Sequence, residues 1–201
     1  MFWDKIKRKP LTLQNVEQIE KGCSLIDKIS PRGYSEARVK YRDQALRNVT
    51  ITGATASYID IVDIDVAMGR FHSIEDDLYK RRVAYIGEQI RKDLFEGVDP
   101  LGKELTIAGK KFTVIGVAKE QGSTFGNNQD NFILLPFSVY QQTFGEQRRG
   151  LNFAVKAVNV ENLQEAMDQV RVVLRSARHV PFDADDDFDM LTADNILDVL
   201  N

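Results

Sequence analysis

The stretch Asp99-Pro100-Leu101-Gly102-Lys103-Glu104-Leu105-Thr106-Ile107, with Phe112-Thr113-Val114-Ile115-Gly116-Val117 close behind it, decides how this chain is read. Pro100 fixes its own φ, and Gly102 supplies a backbone conformation that residues with a Cβ avoid, so the first five residues spell a tight turn. Two runs with strand character follow, and Ala108-Gly109-Lys110 between them offers a second turn. A turn feeding a β-hairpin is the expectation. Gly102-Lys103 also raises the question of a phosphate-binding loop, but the Ser or Thr that such a loop carries after its Lys is Glu104 here. Turn chemistry accounts for each residue of the stretch.

Outward from the hairpin, Val83-Ala84-Tyr85-Ile86 reads as a short buried strand and Glu88 to Phe95 as a helix stopped at Gly97. Gln121 to Asn131 is a polar loop rich in Gly and Asn. Phe132-Ile133-Leu134-Leu135 is a strand closed by Pro136, and Ser138 is placed to cap a helix ending at Gly145. Toward the N-terminus, Thr12 is an N-cap flanked by the staple pair Leu11 and Val16, and Gly22 is a C-terminal cap residue. Ala37, Val39 and Tyr41 alternate with charged neighbours, and Val49 and Ile51 keep that period. Ser57 to Val62 reads as a short helix and Asp63 to Met68 as a strand. Toward the C-terminus, Phe153, Val155 and Ala157 alternate, and Asn162 with Glu165 resembles a capping box. Leu163, Ala166, Met167, Val170, Val173, Leu174 and Ala177 mark the clearest helix. A short strand is expected at Phe188 to Leu191, with Thr192 capping a final helix.

The 201 residues carry a net charge of −3, which gives no general pull toward nucleic acid. No nucleic-acid-reading motif is visible. Cys23 is the single cysteine, so an internal disulfide is excluded, and it reads as a small buried residue near a helix end rather than a reactive thiol. No apolar run approaches the roughly 20 residues of a transmembrane helix. Met1-Phe2-Trp3-Asp4 leads into charge, not into the apolar core of a signal peptide.

The order of the pieces is more specific than any one of them. Gly69-Arg70-Phe71, Val83-Ala84-Tyr85-Ile86-Gly87, Leu94-Phe95, Asp99-Pro100-Leu101-Gly102-Lys103 and Val114-Ile115-Gly116-Val117 form a series. That series resembles the extracytoplasmic (periplasmic) core domain of MacB-type ABC-transporter permeases, of the MacB/FtsX-like family. The likeness runs from Leu11-Thr12-Leu13 and Val16 to Asp186-Asp187-Phe188. It implies an α+β fold in two lobes: a porter-like β-α-β lobe built from 1–72 and 149–201, and an inserted small α/β lobe at 73–148. It implies a segment of a longer chain, set between the first and second membrane helices of a permease, on the extracytoplasmic side of a bacterial membrane. Catalysis, cofactors and metals are not expected in this segment. The implied partners are the rest of the permease and its ATPase, a second permease copy in the full-length dimer, and a periplasmic adaptor or lipoprotein. The isolated domain is expected to be a monomer that binds no nucleic acid. The final helix, Thr192 to Leu200, would start a stalk that carries ATP-driven motion outward. The alternative is an extracytoplasmic binding module that captures a lipoprotein, peptide or signal.

Several groups invite chemistry and have a plainer reading. His72 and His179 stand far apart, with no His or Cys at metal-ligand spacing. Glu75-Asp76-Asp77 offers paired carboxylates, though such a run ordinarily solvates or caps a helix start. Asp183-Ala184-Asp185-Asp186-Asp187 opens like a calcium loop, but Phe188 replaces the Gly at position 6 and Asp194 the Glu at position 12, so a solvated turn is expected. Gly122 to Asn128 reads as a mobile loop rather than an anion cradle, with Phe125 at its tip. The basic run Lys5 to Lys9, beside Phe2 and Trp3, has the composition of a membrane interface and equally that of a solvated tail. No nucleophile elbow is present.

Overall fold

The computed structural model describes residues 10–62, 64–124, 127–145 and 151–192. Its elements, in chain order, begin with α1 (Leu13–Gly22), β1 (Ile26–Tyr41), β2 (Gln44–Ala54), α2 (Tyr58–Val62) and β3 (Val66–Gly69). Next come α3 (Ile74–Leu78), β4 (Val83–Ile86), α4 (Glu88–Leu94), β5 (Glu104–Ile107) and β6 (Lys110–Ala118). The remainder are the two-residue strands β7 (Ser123–Thr124) and β8 (Asn127–Asn128), then β9 (Phe132–Pro136), α5 (Phe137–Phe144), β10 (Asn152–Ala157) and α6 (Leu163–Ala177). The chain divides into two compact units, Met1–Asp27 with Lys156–Asn201, and Lys28–Val155. These borders differ from those expected at 72/73 and 148/149. The reason is strand pairing: β2 pairs with β9 and β3 with β6, which draws residues 28–72 into the sheet of the central unit.

That sheet follows the path β10-β1-β2-β9-β4-β6-β3, and β5 pairs with both β6 and β1. The strands β1, β2, β9, β4, β6 and β5 therefore close into a ring. The closing bond is short: Val39 lies opposite Ile107, and Lys40 opposite Thr106. All six strands send alternate side chains into one core, among them Val39, Ile51, Leu135, Ile86, Val114 and Leu105. Each of these is completely buried, and burying a side chain of this size contributes about 1.5–3 kcal/mol. α4 adds Ile90 and Leu94 to the same core, with Phe95 beside Tyr41 at 4.3 Å between ring centroids.

α5 is seated on the sheet by two glycines. Gly33 and Gly53 are cross-strand partners, and a Cβ built on either would stand 2.2 Å from the ring of Tyr140. The missing side chains make a trough that the ring fills. Tyr140 and Ser35 join hydroxyls at 2.7 Å at its end. α5 begins at Phe137 after Pro136, so Ser138 is not its cap. Ser138 instead donates its N–H to Asp77 Oδ1 and its Oγ–H to the Asp77 carbonyl, both at 2.8 Å, tying α5 to α3.

The turns have the expected chemistry. Leu101 N–H donates to Asp99 Oδ1 (3.0 Å), Lys103 N–H to the Pro100 carbonyl (3.1 Å), and Gly102 has φ +73°. Gly102 N–H also donates to the Val114 carbonyl (2.8 Å), which lays the turn across β6. Ala108 and Gly109 both have positive φ, 47° and 80°, the backbone of a two-residue type I′ hairpin loop. β1 is longer than the alternation at Ala37–Tyr41 suggests. Its pairing with β2 starts at Arg32, one residue after Pro31, whose ring removes a ladder donor.

In the other unit, α1 and α6 pack together, with Val16 and Ile19 of the first and Val170 and Leu174 of the second buried. Thr12 starts α1, donating its N–H to Asn15 Oδ1 at 3.1 Å. Gly22 does not play the left-handed cap: Cys23 ends the helix with φ −117°. Gly22 is small because Val173 of α6 presses on it, 2.8 Å from where a Cβ would be. Asn162 precedes α6 without a side-chain cap bond, and His179 takes the left-handed position after it, φ 55°. Phe188 to Leu191 is not a strand. Phe188 is buried, but Asp186 and Asp187 beside it are turned toward α6. The expected final helix lies almost wholly outside the described residues, as do Phe125 and the basic run Lys5 to Lys9 with Phe2 and Trp3.

Two substitutions test this architecture by urea denaturation. Thr106→Pro, in the strand that closes the ring, should cost about 2–4 kcal/mol by removing one ladder bond and stranding its partner. Ala108→Asn should add about 0.5–1 kcal/mol, because Asn tolerates the left-handed position that Ala occupies under strain.

Candidate functional site

The carboxylates offered by the sequence are bound into the structure. The Asp76 side chain is completely buried. Arg70 Nη1 donates to its Oδ2 at 2.6 Å, Arg81 Nη1 to its Oδ1 at 3.3 Å, and Ser73 N–H to Oδ2 at 2.9 Å. Burial opposes the charge, but these donors outweigh it, and the carboxyl is held well below its usual range. Asp76 thus joins the Gly69-Arg70 segment, the start of α3 and Arg81, while Asp77 holds α5. Of the three acids Glu75 is solvated and Asp76 caps the helix start, the two positions expected of the run.

The acidic run near the C-terminus is a turn with Asp183 and Asp185 exposed, as expected, but its last two acids are partnered. Asp186 accepts from Arg171 Nε (3.0 Å) and Arg175 Nη1 (2.8 Å). Asp187 accepts from Arg178 Nε and Nη2, both at 2.7 Å. Arg178 Nη1 also donates to the Pro10 carbonyl at 3.3 Å. One buried guanidinium therefore ties the earliest and latest described segments to α6. Among the described residues, no group of three acid, His or Cys side chains is gathered to hold a metal ion.

His72 is buried, with its ring 4.0 Å from that of Phe71, and Nε2–H donates to the Ala54 carbonyl at 2.9 Å. Burial lowers its pKa below the ordinary 6.5, so the ring is a neutral structural donor. Cys23 is buried and its thiol pushed up by that burial, which removes the thiolate a nucleophile needs. Gly97 and Gly102 do have phosphate-loop spacing, but the loop runs from α4 into β5. A phosphate loop runs from strand to helix, so no helix N-terminus faces this one.

Among the described residues, a cavity lies on the outer face of β1, β2 and β9. Between the core residues of these strands stand Tyr34, Thr52 and Leu134 in one cross-strand row, and Thr50 and Phe132 in the next. They floor this cavity of about 340 Å³. Tyr58 and Val62 of α2, with Gln121 and Gln129 of the long loop, also line it. α2 is held to β1 by Ser57 Oγ–H donating to the Ile29 carbonyl (3.0 Å) and Thr55 N–H donating to Ser30 Oγ (3.1 Å). Asp130 clamps the loop base, accepting from the N–H groups of Gln121 (2.9 Å) and Gly122 (2.8 Å). Arg32 meets two tyrosines of that lining, donating to Tyr58 Oη at 3.2 Å and lying 5.2 Å from the Tyr34 ring centroid. Burial pushes the Tyr34 phenol up to about 12, with Arg32 offsetting part of the rise. Sequence reasoning passed over this site. Its signal was the alternation of β9, whose outward positions, Phe132 and Leu134, are as apolar as its inward ones.

A family model of the MacB-like periplasmic core domain matches residues 3–173. The chain is 26% identical over 198 residues to the macrolide export ATP-binding/permease protein MacB of Bdellovibrio bacteriovorus, covering 95% of this chain and 29% of that protein. It is 28% identical over 173 residues to the pyoverdine export ATP-binding/permease protein PvdT of Pseudomonas aeruginosa, covering 83% and 26%. The periplasmic region of MacB from Actinobacillus actinomycetemcomitans has the same fold, with TM-score 0.78 at 20% identity, covering 94% of this chain and 82% of that one. The chain spans less than a third of the full-length relatives it matches.

The buried His and Asp give stability a two-step acid dependence. Above pH 6.5 His72 is neutral in both folded and unfolded chains; below it only the unfolded chain takes the proton, so stability falls with pH. Asp76 adds the same sign below about pH 4, where only the unfolded carboxyl is protonated. Urea midpoints across pH should show each slope at no more than about 1.4 kcal/mol per pH unit. His72→Gln should flatten the upper step and Asp76→Asn the lower.

Proposed function

The chain belongs to the MacB-like periplasmic core domain family, and from that premise we propose that it is the non-catalytic extracytoplasmic part of an exporter-type ABC permease, coupling ATP-driven motion to partner or substrate handling outside the membrane. The observation that carries the coupling reading is Arg178. Its guanidinium holds Pro10 through the carbonyl and Asp187 through the carboxylate, so the two segments that would continue toward membrane helices are fastened to one helix. A displacement entering through either segment then moves α6 rather than bending a loose joint. The porter-like lobe of both chain ends is the receiver of that motion in this reading. Asp76, Asp77, Asp186, Asp187 and His72 are committed to holding the fold, which agrees with a mechanical part. The motor ATPase, a second permease copy and an adaptor or lipoprotein beyond the membrane are the proposed partners.

In the full-length transporter, Arg178→Ala is expected to depress export while basal ATP hydrolysis persists, with Arg178→Lys intermediate because it keeps the charge and loses the bidentate geometry. Export unchanged in Arg178→Ala, with the Asp187 contact shown to be broken, would sink the coupling reading.

A further inference from the structure

The cleft on the outer face of β1, β2 and β9 has a chemistry of its own, and we propose that it binds a short, uncharged, extended stretch of polypeptide carrying aliphatic or aromatic side chains. The proposal is independent of the coupling role, and either can fail without the other.

The floor decides the apolar part of the guest. Tyr34, Phe132, Val62 and Ile64 offer carbon surface, above Leu134, which is itself buried. A polyhydroxylated guest such as a sugar could bond to the polar rim but would set its remaining hydroxyls against the aliphatic groups of Val62 and Ile64, which satisfy none of them. The polar part is equally selective. Among the described residues, no carboxylate, ammonium or guanidinium lines the cavity. A charged guest would be desolvated there with nothing opposite it.

The polar groups that do line the cavity match a peptide unit. Gln121, Gln129 and Asn131 each present a carboxamide, with one acceptor and two donors, and Thr50 adds a hydroxyl from the floor. A carboxamide can accept from a peptide N–H and donate to a peptide carbonyl at once. The rim is built rather than draped: Asp130 fixes both ends of the loop, and Gln129 N–H donates to the Gly122 carbonyl at 3.0 Å. The volume lies in the range of small-ligand sites and accommodates about two or three residues.

The test is NMR titration of the 15N-labelled chain with two neutral probes, acetyl-Val-Phe-Leu-amide and maltotriose. The expected result is saturable shifts from the peptide at the amides of Tyr34, Thr50, Thr52, Gln129 and Phe132, and none of that pattern from maltotriose. Tyr34→Ala and Gln129→Ala should each weaken peptide binding about fivefold or more, the loss of roughly one hydrogen bond or ring contact. Gln129 is exposed, so its variant keeps the fold and carries the test should Tyr34→Ala unfold. Scattered peptide shifts, affinity unmoved by Gln129→Ala, or saturation of the same amides by maltotriose instead would each overturn the proposal.

Discussion

The central unit depends on two residue pairs, Val39 with Ile107 and Lys40 with Thr106. Without them β5 is only the first arm of a hairpin, and the path of strands from β1 to β6 is an open sheet. With them the sheet meets itself, and the side chains that point inward from six strands share one core. A core enclosed this way needs each strand to alternate in phase with its neighbours, because a slip of one residue would turn its apolar set outward. Tyr140 in the trough of Gly33 and Gly53 fixes α5 against the same strands, and any side chain larger than hydrogen there would lift the helix off.

Much of this was legible in the residues. The hairpin from Asp99 to Val117, the strands at Val83 and Phe132 and the helix at Leu163 all follow from turn chemistry and periodicity. The family resemblance rested on the order of those same segments, and the family match and the α+β fold agree with it. What periodicity could not express was pairing between distant strands. Nothing local in Glu104-Leu105-Thr106-Ile107 says that its second edge meets Val39. Gly22 misled for a related reason: a glycine after a helical run satisfies a cap rule, yet here it answers to Val173, some 150 residues along the chain.

The polar residues show the same limit. Runs of acids look like solvated turns or helix caps when read singly, but Asp76, Asp186 and Asp187 also have arginine partners that only folding brings near. Among them Asp76 tolerates complete burial because donors from three residues, Arg70, Ser73 and Arg81, converge on it; with fewer it would be a liability rather than a joint. The cleft was missed because its floor is made of alternate residues in three strands, two of which are far apart in sequence.

Closure of the ring also bears on how the protein fares in a crowded compartment. A β-sheet edge with free backbone groups is a template for pairing with another chain. Among the described residues β10 and β3 stand at the ends of the main path, with six and four residues, and Val66 and Met68 are exposed on β3. Edges so short offer few bonds to a neighbour. The strand that completes the core therefore also removes most of the adhesive border through which copies of the domain would aggregate.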